Sequence, residues 1–194
     1  MEEAGGTRLP PGRLRYVSSG AAPLDPDWKR RAEAFYGVAL QNGYGLTETT
    51  AGVTLTTNPI GVPDVSVGPA LPGVDLRLRD VGADGVGEIL TRGPHVMPGY
   101  FRNPEATAAT LVDGWLRTGD MGYRDEDGFI YVVDRKKELI LRGGYNVYPR
   151  EVEEVIATHP AVSEVAVVGR PHPSLGSEVV AVVSTRPGMS VTPA

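Results

Sequence analysis

Residues 14–48 read LRYVSSGAAPLDPDWKRRAEAFYGVALQNGYGLTE, and this stretch decides the fold class. A strand-like segment, Leu14–Val17, runs into a loop of small residues. A helix should follow, with Asp25 as its N-cap, a proline at its first position and Gly37 at its end. Val38–Leu40 is then the next strand, and a second glycine-rich loop comes after it. Strand, loop, helix, strand and loop in this order predict an α/β portion.

The chain from about residue 61 to residue 133 is cut by glycine into short alternating segments, which predict antiparallel β structure. The predicted strands are Asp75–Arg79, Gly87–Thr91, Gly119–Arg124 and Phe129–Val133. A hairpin turn is expected at Asp125–Gly128, and one short helix should begin after Asn103 as its cap. The sequence therefore predicts an α/β portion over 1–60 and a β-rich subdomain over 61–133.

A charged run, Asp134–Glu138, follows a predicted strand and indicates a linker between two bodies. A helix should begin at Pro149, with glutamates suited to the positive end of its dipole. Its predicted apolar stripe is Val152, Val155 and Ile156. The strands that follow are predicted over Glu164–Val168 and Glu178–Val183. Residues 139–194 thus form a small α+β body.

Both ends of the chain resemble cut ends. Thr192 and Pro193 are a cap and a first-position proline, a helix start signal directly before the last residue. Leu14–Val17 needs neighbouring strands on both sides to be buried in a parallel sheet, and the residues before it offer none. We therefore expect a segment that is truncated at both ends.

The composition excludes several classes of protein. The chain carries 19 Lys and Arg against 24 Asp and Glu, a net charge of −5, which gives no electrostatic reason to expect nucleic acid or an anionic membrane as a partner. The 25 Gly and 17 Pro residues are too many for a helical bundle. No apolar run is long enough to span a membrane. With no cysteine there is no disulfide framework, and a cytoplasmic location is expected.

Four segments could carry chemistry, and each also has a plain structural interpretation. Gly43–Thr49 is either a strand-end turn or a loop whose glycines approach a ligand, while its threonine and glutamate offer oxygen ligands for phosphate and Mg²⁺. Asp120 is either a turn residue or the acceptor of a ribose diol. Arg135 is either a surface charge or a ligand group, and Arg142–Asn146 is either a turn or a close-approach loop. The three histidines lack metal-ligand spacing, so we expect structural or solvent roles for them.

Taken in order, the motifs resemble those of the adenylate-forming superfamily, which contains acyl-CoA synthetases, adenylation domains and luciferases. The motifs are Ser19–Pro23, Tyr44–Glu48, Gly114–Asp120 and Asp134–Lys137. The resemblance runs from about Leu14 to Pro187, and the residues Asp134–Glu138 followed by Gly143–Pro149 look most like those of long-chain fatty-acid CoA ligases. It implies the C-terminal part of a large AMP-binding domain over 1–133, a hinge linker over 134–138 and an incomplete small C-terminal domain over 139–194.

The resemblance also implies a role for each matching residue. The residues that would bind ATP or AMP are Gly20, Ala21, Ala22, Pro23, Tyr44, Asp120 and Arg135. Thr47 and Glu48 would be catalytic, Thr47 by holding the α-phosphate and Glu48 by ligating Mg²⁺. Those that would form part of the acyl pocket are Gly43, Tyr44 and Gly45. Lys137 would be the hinge residue, and Gly143 and Gly144 would line the tunnel for the pantetheine arm of CoA.

The implied activity is that of an ATP-dependent acyl-CoA synthetase, which converts a fatty acid or other carboxylic acid, ATP and CoA to acyl-CoA, AMP and pyrophosphate. The family's phosphate loop with its lysine, and the lysine near the family's C-terminus, have no counterpart here, so we expect the chain to be inactive without the missing N-terminal domain of its parent. The alternatives are a carrier-protein-loading adenylation domain, a fatty acyl-AMP ligase, or a non-catalytic nucleotide-binding module.

Overall fold

The computed structural model of the chain describes residues 12–191, which divide into two units. The first consists of residues 12–118 and 122–132, and the second of residues 119–121 and 133–191. The helix start expected at Thr192 and Pro193 lies outside the described residues. Within them, no helix has the length and apolar character needed to cross a membrane.

The first unit opens with the predicted α/β elements. These are β1 (Val17–Ser19), α1 (Pro26–Tyr36), β2 (Leu40–Tyr44), a short 3-10 helix (Thr47–Thr49) and β3 (Thr54–Leu55). The three strands form one sheet in the order β1-β2-β3. β1 is parallel to β2, with Val17 opposite Leu40, and β2 is antiparallel to β3.

Helix α1 has the predicted start and end. The Asp25 carboxylate accepts hydrogen bonds from the backbone N–H groups of Asp27 and Trp28, both at 2.9 Å. Gly37 adopts a left-handed φ of 69°, and its N–H donates to the Glu33 carbonyl at 2.8 Å. The cap chemistry of the sequence therefore defines this helix to the residue.

Two strand predictions in this layer are wrong in their bounds. β1 begins at Val17 rather than Leu14, because pairing with β2 starts there, and Leu14 itself is exposed. β2 begins at Leu40 rather than Val38 and continues through Gly43 and Tyr44, which the sequence placed in the following loop. The pairing of Gly43 and Tyr44 with β3 extends the strand.

The Glu33 carboxylate on α1 determines where β2 begins. One of its oxygens accepts the N–H of Leu40 at 3.0 Å, and the other accepts the N–H of Gly61 at 2.9 Å. Glu33 is 4% exposed. A buried carboxylate is costly unless it is hydrogen-bonded, so these two bonds hold α1, β2 and the loop after β3 in one arrangement.

A five-stranded sheet follows. Its elements are β4 (Asp75–Arg79), β5 (Gly87–Arg92), α2 (Pro104–Thr110), β6 (Leu111–Val112), β7 (Trp115–Arg124) and β8 (Ile130–Arg135). The strand order is β4-β5-β7-β6, and β8 pairs with β7. The β4–β5 and β6–β7 pairs are antiparallel, and residues 119–121 and 133–135 of the strands belong to the second unit. The predicted bounds of β4 are confirmed, and the Asn103 side chain caps α2 as expected. The predicted hairpin turn at Asp125–Gly128 is also confirmed, by the bond from the Gly128 N–H to the Asp125 carbonyl.

The second unit contains a four-stranded antiparallel sheet and one helix. The elements are β9 (Ile140–Arg142), β10 (Tyr145–Val147), α3 (Pro149–Ala157), β11 (Val162–His172) and β12 (Gly176–Thr185), and the strand order is β10-β9-β12-β11. The sequence predicted α3 and the two long strands, but it missed the three-residue strands β9 and β10. The largest buried apolar side chains of this unit are Met121, Ile140, Tyr148, Val162 and Val167.

The predicted apolar stripe of α3 is partly wrong. Val155 is 70% exposed, whereas Val152 and Ile156 are half-buried. The Glu153 carboxylate instead accepts the N–H of Val167 on β11 at 2.8 Å. A side-chain bond to the sheet therefore contributes to docking the helix alongside its apolar contacts.

Asp64 holds the loop that follows β3. Its carboxylate accepts hydrogen bonds from the Asn58 amide at 2.6 Å and from the Ser66 N–H at 2.7 Å, and its carbonyl accepts from the Lys29 ammonium at 2.7 Å. Burial alone raises the pKa of Asp64. The bonds from Asn58 and Ser66 and the charge of Lys29 outweigh that effect, so the pKa lies below its ordinary value.

We expect Asp64→Asn to lower the free energy of unfolding at pH 7 by about 1–3 kcal/mol, because buried donors lose a charged acceptor. Since the folded pKa of Asp64 is depressed, its ionised form stabilises the fold above about pH 4, and this contribution is lost as pH falls through the folded pKa. Urea unfolding between pH 2 and pH 7 should therefore show the two proteins converging in acid. Asp127→Asn, at an exposed turn position, is the control; a difference for Asp64→Asn that does not depend on pH would contradict the prediction.

Candidate functional site

Two loops leave the carboxyl ends of the adjacent parallel strands β1 and β2. Ser19, the last residue of β1, lies opposite Asn42, so the loops emerge side by side. A Cβ added to Gly20 would lie 3.2 Å from the Gly43 carbonyl oxygen. The structure therefore brings together the first two motifs that the sequence analysis selected. The carboxyl edge of parallel strands is where open α/β sheets bind their ligands.

The loop after β1 presents its backbone to solvent. Gly20, Ala21, Ala22 and Pro23 are all exposed. Ala21 has φ 66°, in the left-handed region that favours glycine. A non-glycine residue held in this region stores backbone strain, and such strain concentrates at ligand sites.

The glycines of the second loop have a packing role. A Cβ on Gly45 would lie 2.2 Å from the Ala51 carbonyl oxygen, and one on Gly43 would lie 3.0 Å from the Thr54 carbonyl oxygen. From the sequence, these glycines fit either a strand-end turn or a loop that approaches a ligand closely. In the structure the chain itself makes the close approach, because residues 51–54 fold back against the loop.

The short 3-10 helix displays Thr47 and Glu48. The Thr49 hydroxyl closes the turn by accepting from the Leu46 N–H at 2.8 Å and donating to the Leu46 carbonyl at 2.9 Å. Thr47 is exposed, and Glu48 is half-buried. The hydroxyl and the carboxylate are thus offered from one rigid turn.

Glu48 has a partner that the sequence analysis missed. The Tyr100 phenol donates to one oxygen of the Glu48 carboxylate at 2.8 Å. This hydrogen bond, followed by burial and by the negative charge of the same carboxylate, raises the pKa of Tyr100 above its ordinary value. The phenol therefore keeps its proton as a donor at neutral pH. No sequence signal connects two residues that are 52 positions apart.

The donor set around Glu48 fits Mg²⁺ in one particular way. Among residues 12–191, no group of three or more His, Cys, Asp or Glu side chains is gathered as a protein cage for a metal. Mg²⁺ in nucleotide sites is usually held by one or two carboxylates together with substrate phosphates and water. One carboxylate beside a threonine hydroxyl, on a loop suited to phosphate, matches that pattern.

Asp120 and Arg135 lie together in the second unit. Asp120 is 6% exposed, and its carboxylate lies 3.5 Å from the Arg135 Nε. The Arg135 side chain is 60% exposed. The pair combines a nearly buried acceptor with a cation that reaches solvent, an arrangement suited to a sugar hydroxyl or a phosphate.

Fewer residues of the charged run lie outside secondary structure than the predicted linker, Asp134–Glu138, would have. β8 continues through Arg135, so the first two residues of the run belong to a strand. A tight turn follows, in which the Glu138 N–H donates to the Arg135 carbonyl at 2.9 Å. Lys137 is exposed at the centre of this turn.

Asp134, which the sequence placed in the charged run, has a capping role that its sequence did not indicate. It is 7% exposed, and its carboxylate accepts from the N–H of Arg135 at 2.7 Å and of Arg150 at 3.3 Å. Arg150 lies in the first turn of α3, whose N-cap residue Tyr148 makes no capping bond with its side chain. Asp134 therefore caps a helix from a distant part of the chain.

Gly143 and Gly144 form the two-residue turn of the hairpin between β9 and β10. Both have positive φ, 57° and 86°, and the flanking Arg142 and Tyr145 pair directly. Two left-handed positions define the turn type that glycine favours. The turn interpretation of this segment is confirmed, and its position relative to CoA stays a prediction.

His95 has a structural role, as expected. The Thr91 hydroxyl donates to the Asp75 carbonyl at 3.1 Å, so it accepts from the His95 Nε2, which lies 2.9 Å away. Burial lowers the pKa of His95, which favours the neutral ring.

Two family models match the chain. The model described as AMP-binding enzyme matches residues 2–101, more than half of the sequence, and the model described as AMP-binding enzyme C-terminal domain matches residues 151–194. The chain belongs to the AMP-binding enzyme family. The resemblance to adenylate-forming enzymes, and to their C-terminal portion, is thereby confirmed.

Curated relatives of this AMP-binding enzyme include several acid–CoA ligases. It is 43% identical over 192 residues to a long-chain-fatty-acid–CoA ligase of Yersinia pestis, covering 96% of this chain and 34% of the relative. It is 41% identical over 184 residues to a sulfoacetate–CoA ligase of Cupriavidus necator, covering 91% and 36%. The chain therefore spans about a third of the length of these relatives.

Solved structures similar to this AMP-binding enzyme contain nucleotides. ATP-bound MatB from Rhodopseudomonas palustris is 40% identical with a TM-score of 0.78, covering 92% of this chain and 37% of that one. The o-succinylbenzoate CoA synthetase of Bacillus subtilis, in complex with its acyl-adenylate, is 33% identical with a TM-score of 0.85, covering 97% and 40%.

We expect Gly45→Ala to destabilise this AMP-binding enzyme by about 1–3 kcal/mol or more, because the new Cβ would collide with a backbone oxygen that cannot move alone. Thermal unfolding measures the loss. Gly52→Ala in the same loop is the matched control, since its Cβ would meet only the end of the Leu71 side chain, at 3.1 Å. Equal stability of the two variants would contradict the packing role of Gly45.

Proposed function

We propose that the protein of which this sequence is a part is an ATP-dependent acyl-CoA ligase, and that this chain contributes the adenosine side of its site. The observation that carries the proposal is the juxtaposition of the Gly20–Pro23 loop with the Gly43–Glu48 segment at one sheet edge, in a member of the AMP-binding enzyme family. Similar solved structures that hold ATP or an acyl-adenylate support the nucleotide chemistry of the proposal.

The proposed reaction has two steps. A carboxylate oxygen of the acid forms a bond to the α-phosphorus of ATP, and the bond to the β-phosphate oxygen breaks, so pyrophosphate leaves with its electron pair. The CoA sulfur then forms a bond to the acyl carbon after its proton is lost, and the acyl–oxygen bond to AMP breaks. Both steps build negative charge on oxygen, which positioned donors and cations stabilise.

Thr47 and Glu48 are proposed to act on the phosphates. The exposed Thr47 hydroxyl would donate to an α-phosphate oxygen as charge builds there. Glu48 would hold Mg²⁺, which when bound would neutralise phosphate charge. The rigid turn that displays both residues supports this assignment, since positioned groups need no reorganisation during the reaction.

The remaining roles concern the nucleoside and the acyl group. Asp120 would accept hydrogen bonds from the ribose hydroxyls, and Arg135 would reach the same sugar. The backbone of the loop after β1 would line the adenine, together with Tyr44. Gly43, Tyr44 and Gly45 would form part of the acyl pocket wall.

The proposal retains the expected division of the chain. Residues 1–133 would belong to a large AMP-binding domain, 134–138 to a hinge, and 139–194 to a small C-terminal domain. Lys137 would be the residue about which the small domain rotates between the two steps, and its exposed position in a turn suits that use. Gly143 and Gly144 would border the path of the pantetheine arm, where a turn without side chains leaves room.

A fatty acid is the proposed substrate, and the cytoplasm is the proposed location. Relatives named long-chain-fatty-acid–CoA ligase, from Yersinia pestis and Bacillus subtilis, support the fatty acid. Other relatives are named for sulfoacetate and 2-succinylbenzoate, so the acid must be tested directly.

We expect the 194-residue chain alone to catalyse no palmitate-dependent exchange between ATP and pyrophosphate, because it spans about a third of its relatives' length. Incorporation of labelled pyrophosphate into ATP measures the exchange, with the Bacillus subtilis relative as positive control. Sulfoacetate and 2-succinylbenzoate serve as competing acids. Robust exchange by the chain alone would contradict its expected inactivity and would identify the preferred acid at once.

We expect Asp120→Asn to weaken AMP binding about 10–100-fold, because a charge-assisted hydrogen bond to the ribose is lost. Calorimetric titration of the 194-residue chain with AMP measures the dissociation constant. Asp113→Asn is the matched control, since Asp113 is exposed and asparagine tolerates its left-handed φ of 52°. Equal AMP affinity of the two variants would contradict the role of Asp120.

A further inference from the structure

The turn that carries Glu48 is bound to a segment far along the chain. We call residues 95–100 the clamp segment. The Met97 N–H donates to the Glu48 carbonyl at 2.8 Å, and the Thr50 hydroxyl donates to the His95 carbonyl at 3.0 Å. These bonds join the clamp segment to the turn at Glu48 itself and at Thr50, two residues later. The clamp segment therefore has a fixed place against the turn.

Tyr100, at the end of the clamp segment, is itself anchored to α2. Its N–H donates to the Thr107 hydroxyl at 2.9 Å, and that hydroxyl donates to the Asn103 carbonyl at 2.8 Å. The donor that meets Glu48 therefore has little freedom to move.

Gly99 allows the chain to pass close to α2 just before Tyr100. It has φ 149°, and a Cβ there would lie 2.8 Å from the Thr107 side chain. The left-handed conformation and the close passage both require glycine. The backbone just before Tyr100 therefore passes close to α2 and places Tyr100 against that helix.

The hydrogen bond from Tyr100 orients the Glu48 carboxylate without neutralising its charge. A neutral phenol donates one hydrogen bond and leaves the carboxylate with its full negative charge, whereas a lysine or arginine in the same place would neutralise it. The bond at 2.8 Å engages Oε1, and this fixes the direction of Oε2. Hydrogen bonds to metal-binding side chains act in this way on the ligands that they orient.

We propose that Tyr100 is a positioning residue of the nucleotide site, whose phenol holds the Glu48 carboxylate in the orientation that receives a divalent cation bound to the nucleotide phosphates. This rests on the proposed function, because only there does Glu48 meet a cation. Tyr100 does not touch the nucleotide; it acts through Glu48.

The test compares the affinity of the 194-residue chain for ATP in MgCl₂ with its affinity in EDTA, by calorimetric titration. The ratio of the two dissociation constants is the cation-dependent tightening. We expect Tyr100→Phe to reduce this ratio about 10-fold or more. Its dissociation constant in EDTA should stay within about twofold of the wild-type value, and its thermal midpoint within a few degrees, because only an exposed hydroxyl is removed.

Tyr123→Phe is the matched control. Tyr123 is 38% exposed and stacks on Tyr131, and Tyr100 is similarly exposed at 37%. This variant should keep the wild-type ratio. Glu48→Gln should lose the tightening, and adding Tyr100→Phe to it should cause no further loss, because the two residues act as a unit.

The outcomes separate the two proposals. A wild-type chain that binds ATP with cation-dependent tightening, together with a Tyr100→Phe variant that keeps the full ratio, overturns the role of Tyr100 and leaves the proposed function standing. A Tyr100→Phe variant that weakens binding equally in MgCl₂ and EDTA shows a general structural brace and also overturns it. A wild-type chain without any cation-dependent tightening overturns the assignment of Glu48 to Mg²⁺, and this proposal with it, whereas the AMP titrations of Asp120→Asn test the nucleotide site separately.

Discussion

The buried Glu33 carboxylate is the constraint on which the geometry at the carboxyl ends of β1 and β2 depends. Its two oxygens accept the N–H groups of Leu40 and Gly61, so α1 dictates where β2 begins. The start of β2 sets its register against β1, with Val17 opposite Leu40. That register in turn makes the two motif loops emerge side by side. A strand shifted by one residue would turn every side chain of β2 to the opposite face.

Elements with local causes could be predicted from the sequence, and those with distant partners could not. α1 and the hairpin at Asp125–Gly128 depend on caps and turn residues within a few positions, so the sequence predicts them. β2 runs on to Tyr44 only because β3 pairs with it. The three-residue strands β9 and β10 exist because the Gly143–Gly144 turn brings them together, and segments of that length have no periodic signal.

In the candidate site, too, some features could be predicted from the sequence and others could not. Its loops could be selected because their motifs resemble those of a large family, whose membership the comparisons confirm. The residues that support the loops, such as Glu33, Tyr100 and Asp134, join chain segments through side-chain hydrogen bonds over separations of 7 to 52 positions. The residue type of a single glutamate, tyrosine or aspartate does not indicate which distant group it will bind. Side-chain hydrogen bonds between distant segments are therefore the part of this site that only the structure reveals.

The second unit takes in residues 119–121 from the middle of β7, although the rest of it begins at residue 133. It is therefore not a continuous stretch of the gene. Cleavage at any single peptide bond would either leave these three residues behind or carry part of the first unit along. Expressing the second unit alone would require residues 119–121 to be joined to the segment that begins at residue 133, because a start codon at residue 133 would omit them. Exchanging this body between relatives would meet the same obstacle, since a recombination breakpoint there also separates Asp120 from Arg135.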